Sequence, residues 1–255
     1  MSFSTIQFYP GPRVAGIVLN RPPLNIINIE MMDEIRDAWD EVSALEAQVV
    51  VISGSGEQAF SAGVDVADHA PDKADAMLKK FHRVIRTVWE SDCITIAAIH
   101  GRTLGGGFEL AMVCDLVVAT EDAEIGLPEI SLACYPPVGA AYLPRVIARQ
   151  RASEMVLLGD PISAADAEQL GLVNTVVPRE DLNTAVDDYV DRLLAKSAVA
   201  LRFAKRALRE GWGHSFEKAI EENENLYLKE LLNAEDAREG VRAFLEKRPP
   251  SWENR

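Results

Sequence analysis

Two glutamates and a glycine triplet hold the chemistry of this chain. Gly105-Gly106-Gly107-Phe108-Glu109 interrupts an apolar stretch from Ile94 to Ala119, and Pro128-Glu129 follows, with the two carboxylates twenty residues apart. Glycines let the backbone turn with no side chain in the way, so peptide N–H groups at the following helix start can approach a ligand closely. Donors aimed outward there stabilise a developing negative charge. Two carboxylates brought beside that charge by the fold would handle a proton or a water, which is the equipment of enolate chemistry. Plainer readings stand beside this one: the triplet as a tight strand-to-helix turn, Glu109 as a first-turn acid favoured by the helix dipole, and Glu129 as a solvated loop acid.

The elements that must position these residues alternate in type. Val14–Leu19 reads as a strand closed by Asn20-Arg21-Pro22-Pro23, because prolines cannot continue a ladder. From Asn28 to about Ala47, Met31, Met32, Ile35, Ala38, Trp39, Val42 and Leu45 recur at helical spacing, with Asn28 as the cap. Val49-Val50-Val51-Ile52 reads as a strand buried on both faces and ended by Ser53-Gly54-Ser55-Gly56. A helix is expected from Asp72 to about Glu90, with Leu78, Phe81, Ile85, Val88 and Trp89 on one side. A strand over Ile94–Ile99 follows, then a short helix from the glycine triplet to about Val113, then a strand over 116–119. Beyond the punctuation at Pro136-Pro137-Val138-Gly139 the spacing predicts helices over about 143–158 and over 163–170, the second capped by Ser163 and ended by Gly171. From Leu182 the chain reads as helical, broken at Gly211-Trp212-Gly213 and stopped at Pro249-Pro250. The pattern divides into an α/β core over residues 1–196 and a helical region over residues 197–255.

At 255 residues and 48% hydrophobic content the chain can bury a full core. Its formal charge of −14 repels phosphate on average, which disfavours nucleic acid and anionic membranes as partners. Cys93, Cys114 and Cys134 are odd in number and sit in or beside apolar runs, which predicts reduced thiols and a cytoplasmic location. Met1-Ser2-Phe3-Ser4-Thr5 lacks a basic region followed by an apolar core, and no apolar run approaches the roughly twenty residues of a membrane span. A soluble, unprocessed protein is expected. His69, His82, His100 and His214 lack metal-ligand spacing, and Ser61 is not in a Gly-x-Ser-x-Gly frame.

Phe60-Ser61-Ala62-Gly63-Val64-Asp65, His100-Gly101 with Gly105 to Glu109, Pro128-Glu129, Ser163 to Pro178 and Glu235 to Pro249 follow one another at matching separations. In these segments the chain resembles the crotonase (enoyl-CoA hydratase/isomerase) superfamily over nearly its whole length. The resemblance implies a crotonase-like spiral of repeated ββα units with a helical C-terminal trimerisation region, assembled as a homotrimer or a dimer of trimers. It implies that the N–H groups of Val64 and Gly106 polarise a thioester carbonyl. Glu109 and Glu129 would hold one water, add its oxygen to C3 of an α,β-unsaturated acyl-CoA and deliver a proton to C2, syn if one water serves both steps. No metal or redox cofactor is implied, and CoA enters only as part of the substrate. The backbone around Ala62, Asp65 and Val66 and the loop near Leu24 are implied to hold the adenine, and Lys247 the phosphates, from this or a neighbouring subunit. In Glu246-Lys247-Arg248 the lysine reads equally well as one more solvated charge. Having both acids favours hydration or its reverse, with double-bond isomerisation through the same enolate and silent acyl-CoA binding as alternatives.

Two departures bear on the substrate. Ala67 stands where many members of the superfamily carry a basic residue. Pro136-Pro137-Val138 replaces their Pro-Gly, and Pro137 has no N–H and a fixed φ, so the pocket wall there must differ. Together with Arg21-Pro22-Pro23-Leu24-Asn25-Ile26-Ile27, this segment is similar to hydratases of cyclic dienoyl-CoA esters such as cyclohexadiene-carboxyl-CoA. A substrate other than a straight-chain enoyl group is expected.

Overall fold

The computed structural model describes residues 3–255. Met1 and Ser2, the first residues of the N-terminal segment and of the 1–196 core, lie outside the described residues. Strands β1 (Ile6–Tyr9) and β2 (Val14–Leu19) pair antiparallel. Helix α1 (Ile29–Ala44) follows, its first turn capped as expected by Asn28, whose side chain accepts from the Met31 N–H. The chain then repeats one plan three times. β3 (Val49–Gly54) leads to β4 (Ala59–Ser61), a 3-10 turn (Val66–His69) and α2 (Ala74–Glu90). β5 (Ile94–Ile99) leads to β6 (Arg102–Leu104) and α3 (Gly106–Met112). β7 (Leu116–Thr120) leads to β8 (Glu124–Gly126), a 3-10 turn (Pro128–Leu132), α4 (Pro137–Val146) and α5 (Arg149–Leu158). After β9 (Ile162–Ser163), α6 (Ala164–Gln169) and β10 (Thr175–Val177) the chain is helical, with α7 (Leu182–Leu194), α8 (Ala198–Gly211), α9 (Phe216–Lys229) and α10 (Glu235–Leu245).

In each repeat the first strand joins a six-stranded sheet of order β1-β2-β3-β5-β7-β10, and the second joins a four-stranded sheet of order β4-β6-β8-β9. This is the expected spiral of ββα units. The larger sheet is parallel from β2 to β10 and apolar on both faces. Val50, Ile52, Ala97, Ile99, Val117 and Ala119 pack into the main core with α1 and α2. Val49, Ile96, Ala98 and Val118 pack against Val186 and Val190 of α7. Strands covered on both sides need no polar face, which is why they read as unbroken apolar runs. Each fully buried valine or isoleucine side chain contributes about 1.5–3 kcal/mol.

The helical C-terminal region docks on this core. Lys205 of α8 is buried, donates to the Cys93 carbonyl at 2.7 Å and pairs with Asp115 at 2.7 Å. Trp212 stacks on Tyr142 of α4 at a centroid distance of 5.4 Å, and Trp89 meets both rings edge-on. The helix expected over about 143–158 is instead two helices, α4 and α5, separated at Ile147-Ala148. Helix α4 starts earlier than expected because Pro137 occupies its first position, where a fixed φ and a missing N–H suit a helix start.

Candidate active site

Strands β4, β6 and β8 lie side by side and run parallel, so their C-terminal ends meet. The chain leaves them as Ala62-Gly63-Val64, Gly105-Gly106-Gly107 and Leu127-Pro128-Glu129. Gly105 N–H donates to the Gly126 carbonyl at 2.9 Å, which locks the second exit to the third. The first exit touches the second, since a Cβ added at Gly63 would lie 3.6 Å from Gly106 N. Residues far apart in the chain are thereby gathered at the carboxyl ends of parallel strands, where α/β folds place their ligands.

Two of the glycines are required by close approach. Gly105 has φ +52°, and a Cβ there would sit 2.8 Å from Glu129 Oε1. Gly106 opens α3, and a Cβ there would meet Val64 Cγ2 at 2.6 Å. Ile27 N–H donates to the Gly63 carbonyl and Asp65 N–H to the Ile27 carbonyl, both at 2.9 Å, so the Val64 N–H between them faces away from that bridge. Neither the Val64 nor the Gly106 N–H donates to an acceptor among the described residues.

These groups line one cavity of about 550 Å³. Val64, Gly106, Glu109, Glu129 and Pro137 belong to its wall, together with Ala62 and Val66. Much of the rest is apolar: Met77, Leu78 and Phe81 of α2, with Leu132 and Tyr135 beyond the β8 exit. Sequence reading placed Leu78 and Phe81 on one side of a helix. Both line the cavity, and Phe81, with Met77, also belongs to the buried core that the later turns of α2 continue. His69 and Cys134 also line the cavity and had no sequence signal beyond their residue type.

Glu109 is 3% exposed, and its Oε1 accepts the Gly139 N–H at 2.8 Å. Burial pushes its carboxyl up to about 7, with the Glu129 charge adding to the rise and backbone hydrogen bonds from Gly139 and Val138 opposing it. Those donors are the first free N–H groups of α4, so Pro137 removes none that Glu109 uses. Glu129 is also raised, by burial, against its own backbone N–H and the nearby His69. Its Oε2 is buried without a hydrogen-bond partner.

The Glu109 shift has a consequence for stability. Between the ordinary value of 4.5 and about 7 the folded chain binds a proton that the unfolded chain has released, so Glu109 lowers stability as pH rises through that window. Glu109→Gln is therefore expected to raise the melting temperature at pH 8 but not at pH 4.5, a difference worth about 3 kcal/mol. Thermal melts of both proteins across that range check it, and an equal gain at both pH values would contradict it.

The remaining sequence-derived binding residues are not all gathered. The Leu24 carbonyl accepts the Ala62 N–H at 2.9 Å and so holds the β4 exit, but Leu24 is not part of the cavity wall. Asp65 also lies off the wall, where it accepts the Ala67 N–H at 3.0 Å and faces Arg21 at 3.9 Å. Lys247 is exposed after α10 and is not part of the wall. Among the described residues no three His, Cys, Asp or Glu side chains gather as a metal site, and no helix is long and apolar enough to cross a membrane.

The sequence pattern of the enoyl-CoA hydratase/isomerase family matches residues 11–255. The chain is 36% identical over 239 residues to a cyclohexa-1,5-dienecarbonyl-CoA hydratase of Thauera aromatica, covering 93% of this chain and 92% of that one. It is 33% identical over 259 residues to a crotonyl-CoA hydratase of Syntrophomonas wolfei, covering 99% of each. Its backbone matches the crystal structure of an enoyl-CoA hydratase from Bacillus anthracis with a TM-score of 0.92 at 31% identity, over 99% of this chain and 100% of that one.

Proposed function

The chain belongs to the enoyl-CoA hydratase/isomerase family, and on that premise we propose that it adds water across the C2=C3 bond of an α,β-unsaturated acyl-CoA, or removes it. The observation that carries this reading is the meeting of two glutamates and two unengaged backbone N–H groups at one end of a single cavity. Val64 and Gly106 N–H receive the thioester oxygen, each donor lowering the barrier by roughly 3–4 kcal/mol. Glu109 and Glu129 hold the water between them. One carboxylate takes a water proton as the oxygen bonds to C3, the π electrons pass to the enolate, and C2 then takes a proton from a glutamate. A carboxyl titrating at about 7 suits both halves of that exchange near neutrality.

The apolar wall of Met77, Leu78, Phe81 and Leu132 supports a hydrocarbon acyl group. Pro137 in the wall, with the similarity to the Thauera protein, supports a cyclic dienoyl ester. CoA enters only as part of the substrate, its adenine held near Leu24, Ala62, Asp65 and Val66. The exposed Lys247 meets the phosphates from a neighbouring subunit. Phe216, Val241, Phe244 and Leu245 of α9 and α10 lie open to solvent, which supports residues 197–255 as the surface of a homotrimer or a dimer of trimers. Free thiols at Cys93, Cys114 and Cys134 support a cytoplasmic setting.

The test is turnover in H2(18)O of crotonyl-CoA, cyclohexa-1,5-diene-1-carbonyl-CoA and a 3-enoyl-CoA, each followed by mass. One labelled water gained by at least one 2-enoyl or dienoyl ester is the expected result. Isomer at unchanged mass as the only product would assign the chain to double-bond migration instead, and tight binding without turnover to silent acyl-CoA binding.

A further inference from the structure

Among the residues of the cavity wall, His69 alone has an ionisable nitrogen in its side chain. It ends the 3-10 turn that follows the Val64 strand exit, and its Nδ1 lies 3.0 Å from the Asp65 carbonyl. A carbonyl only accepts, so Nδ1 carries the hydrogen and the proton chemistry of the ring is left to Nε2. No hydrogen bond engages Nε2 among the described residues.

The acids around this ring differ in what they leave free. Asp65 uses one oxygen on the Ala67 N–H and the other on Arg21. Asp68 is held by the Ile29 N–H at 3.3 Å and by Lys73, at the start of α2, at 3.8 Å. Glu109, deeper in the wall, is held by Gly139 and Val138. Glu129 alone has a buried oxygen without a partner, and it feels the His69 charge. Cys134 and Tyr135 complete the titratable groups of that side of the wall.

Resting on the hydratase reading, we propose that His69 is a positioning residue that forms a proton-sharing pair with Glu129. The two atoms are not in contact, so the proton passes between Glu129 Oε2 and His69 Nε2 through one water. As the O–H bond breaks the N–H bond forms, and carboxylic acid plus imidazole becomes carboxylate plus imidazolium with no change in total charge. The pair stays neutral while Glu109 and the enolate carry the negative charge of the cavity. Two bare carboxylates beside an enolate would repel it, and the imidazole removes one of them.

The experiment separates this pair from the activity it serves. The glutamate Cδ carbons are labelled with 13C, the Glu129 resonance is assigned by its loss in Glu129→Gln, and the free enzyme is titrated as wild type, His69→Gln and His69→Asn. The Glu129 midpoint is expected to move up by about one pH unit in both variants. On crotonyl-CoA, or on whichever of the three esters is hydrated, the pH profile of kcat should move with it while KM stays within about twofold. An unchanged Glu129 midpoint in a folded variant would overturn the pair. Failure of the wild type to hydrate any of the three esters would overturn the hydratase reading instead, and the titration would still decide the pair.

Discussion

Glu109→Gln and Glu129→Gln are each expected to lower hydration by about 10²–10⁴-fold, while equilibrium binding of an acyl-CoA stays close to wild type. The glutamine at 109 keeps the shape of the side chain and an oxygen that can accept from Gly139 and Val138, so the wall of the cavity is retained. What it loses is a proton that leaves and returns near neutral pH, which the native carboxyl supplies because burial pushes it up to about 7. Glutamine at 129 likewise keeps a side chain against Gly105 but cannot exchange a proton. Loss of enoyl-thioester absorbance gives kcat, and calorimetry with a saturated acyl-CoA gives affinity. Turnover near wild type in either variant would remove that glutamate from the mechanism.

Gly106→Ala is expected to cost about 10²–10³-fold in kcat through backbone geometry alone, since no side-chain functional group is changed. The added methyl would stand 2.6 Å from Val64 Cγ2, far inside ordinary contact, and 3.1 Å from Phe81 Cζ, a few tenths of an ångström inside it. Both atoms are side-chain ends packed in the wall; the part of the clash that their rotation does not relieve pushes the β4 exit and α2 away from the start of α3, and that separates the two N–H donors proposed to share one oxygen. A displacement of tenths of an ångström matters because the donors act only when aimed at the forming oxyanion. Gly213→Ala, whose methyl meets nothing within 4 Å, is the control and should leave turnover unchanged. Wild-type kcat in a folded Gly106→Ala protein would show that the Val64 and Phe81 side chains absorb the methyl without moving the two donors.

Long elements were legible from local spacing. Val14–Leu19 and Ile94–Ile99 match their expected limits, α1 and α2 fall within theirs, and Ser163 and Gly171 bound α6 as read, with Gly171 at φ +75°. The strands that build the site were not legible. β4, β6 and β8 have three residues each, too few to show a period of two, and they exist through pairing with one another across long stretches of chain. The segment at Pro136-Pro137 read as punctuation, whereas it starts the helix whose next two N–H groups hold Glu109.

The sequence by itself determined which groups are present and what each can do. Glycines at 105 and 106 permit close approach, glutamates at 109 and 129 can exchange protons, and the ordered motifs name the family. Tertiary structure decided that the three strand exits meet, that Glu109 is buried enough to titrate at about 7, and that His69 and the first turns of α2 share the wall. The reason is one of range. Periodicity and capping depend on neighbours a few residues away, but convergence and desolvation depend on strand pairing between distant segments and on everything packed around them.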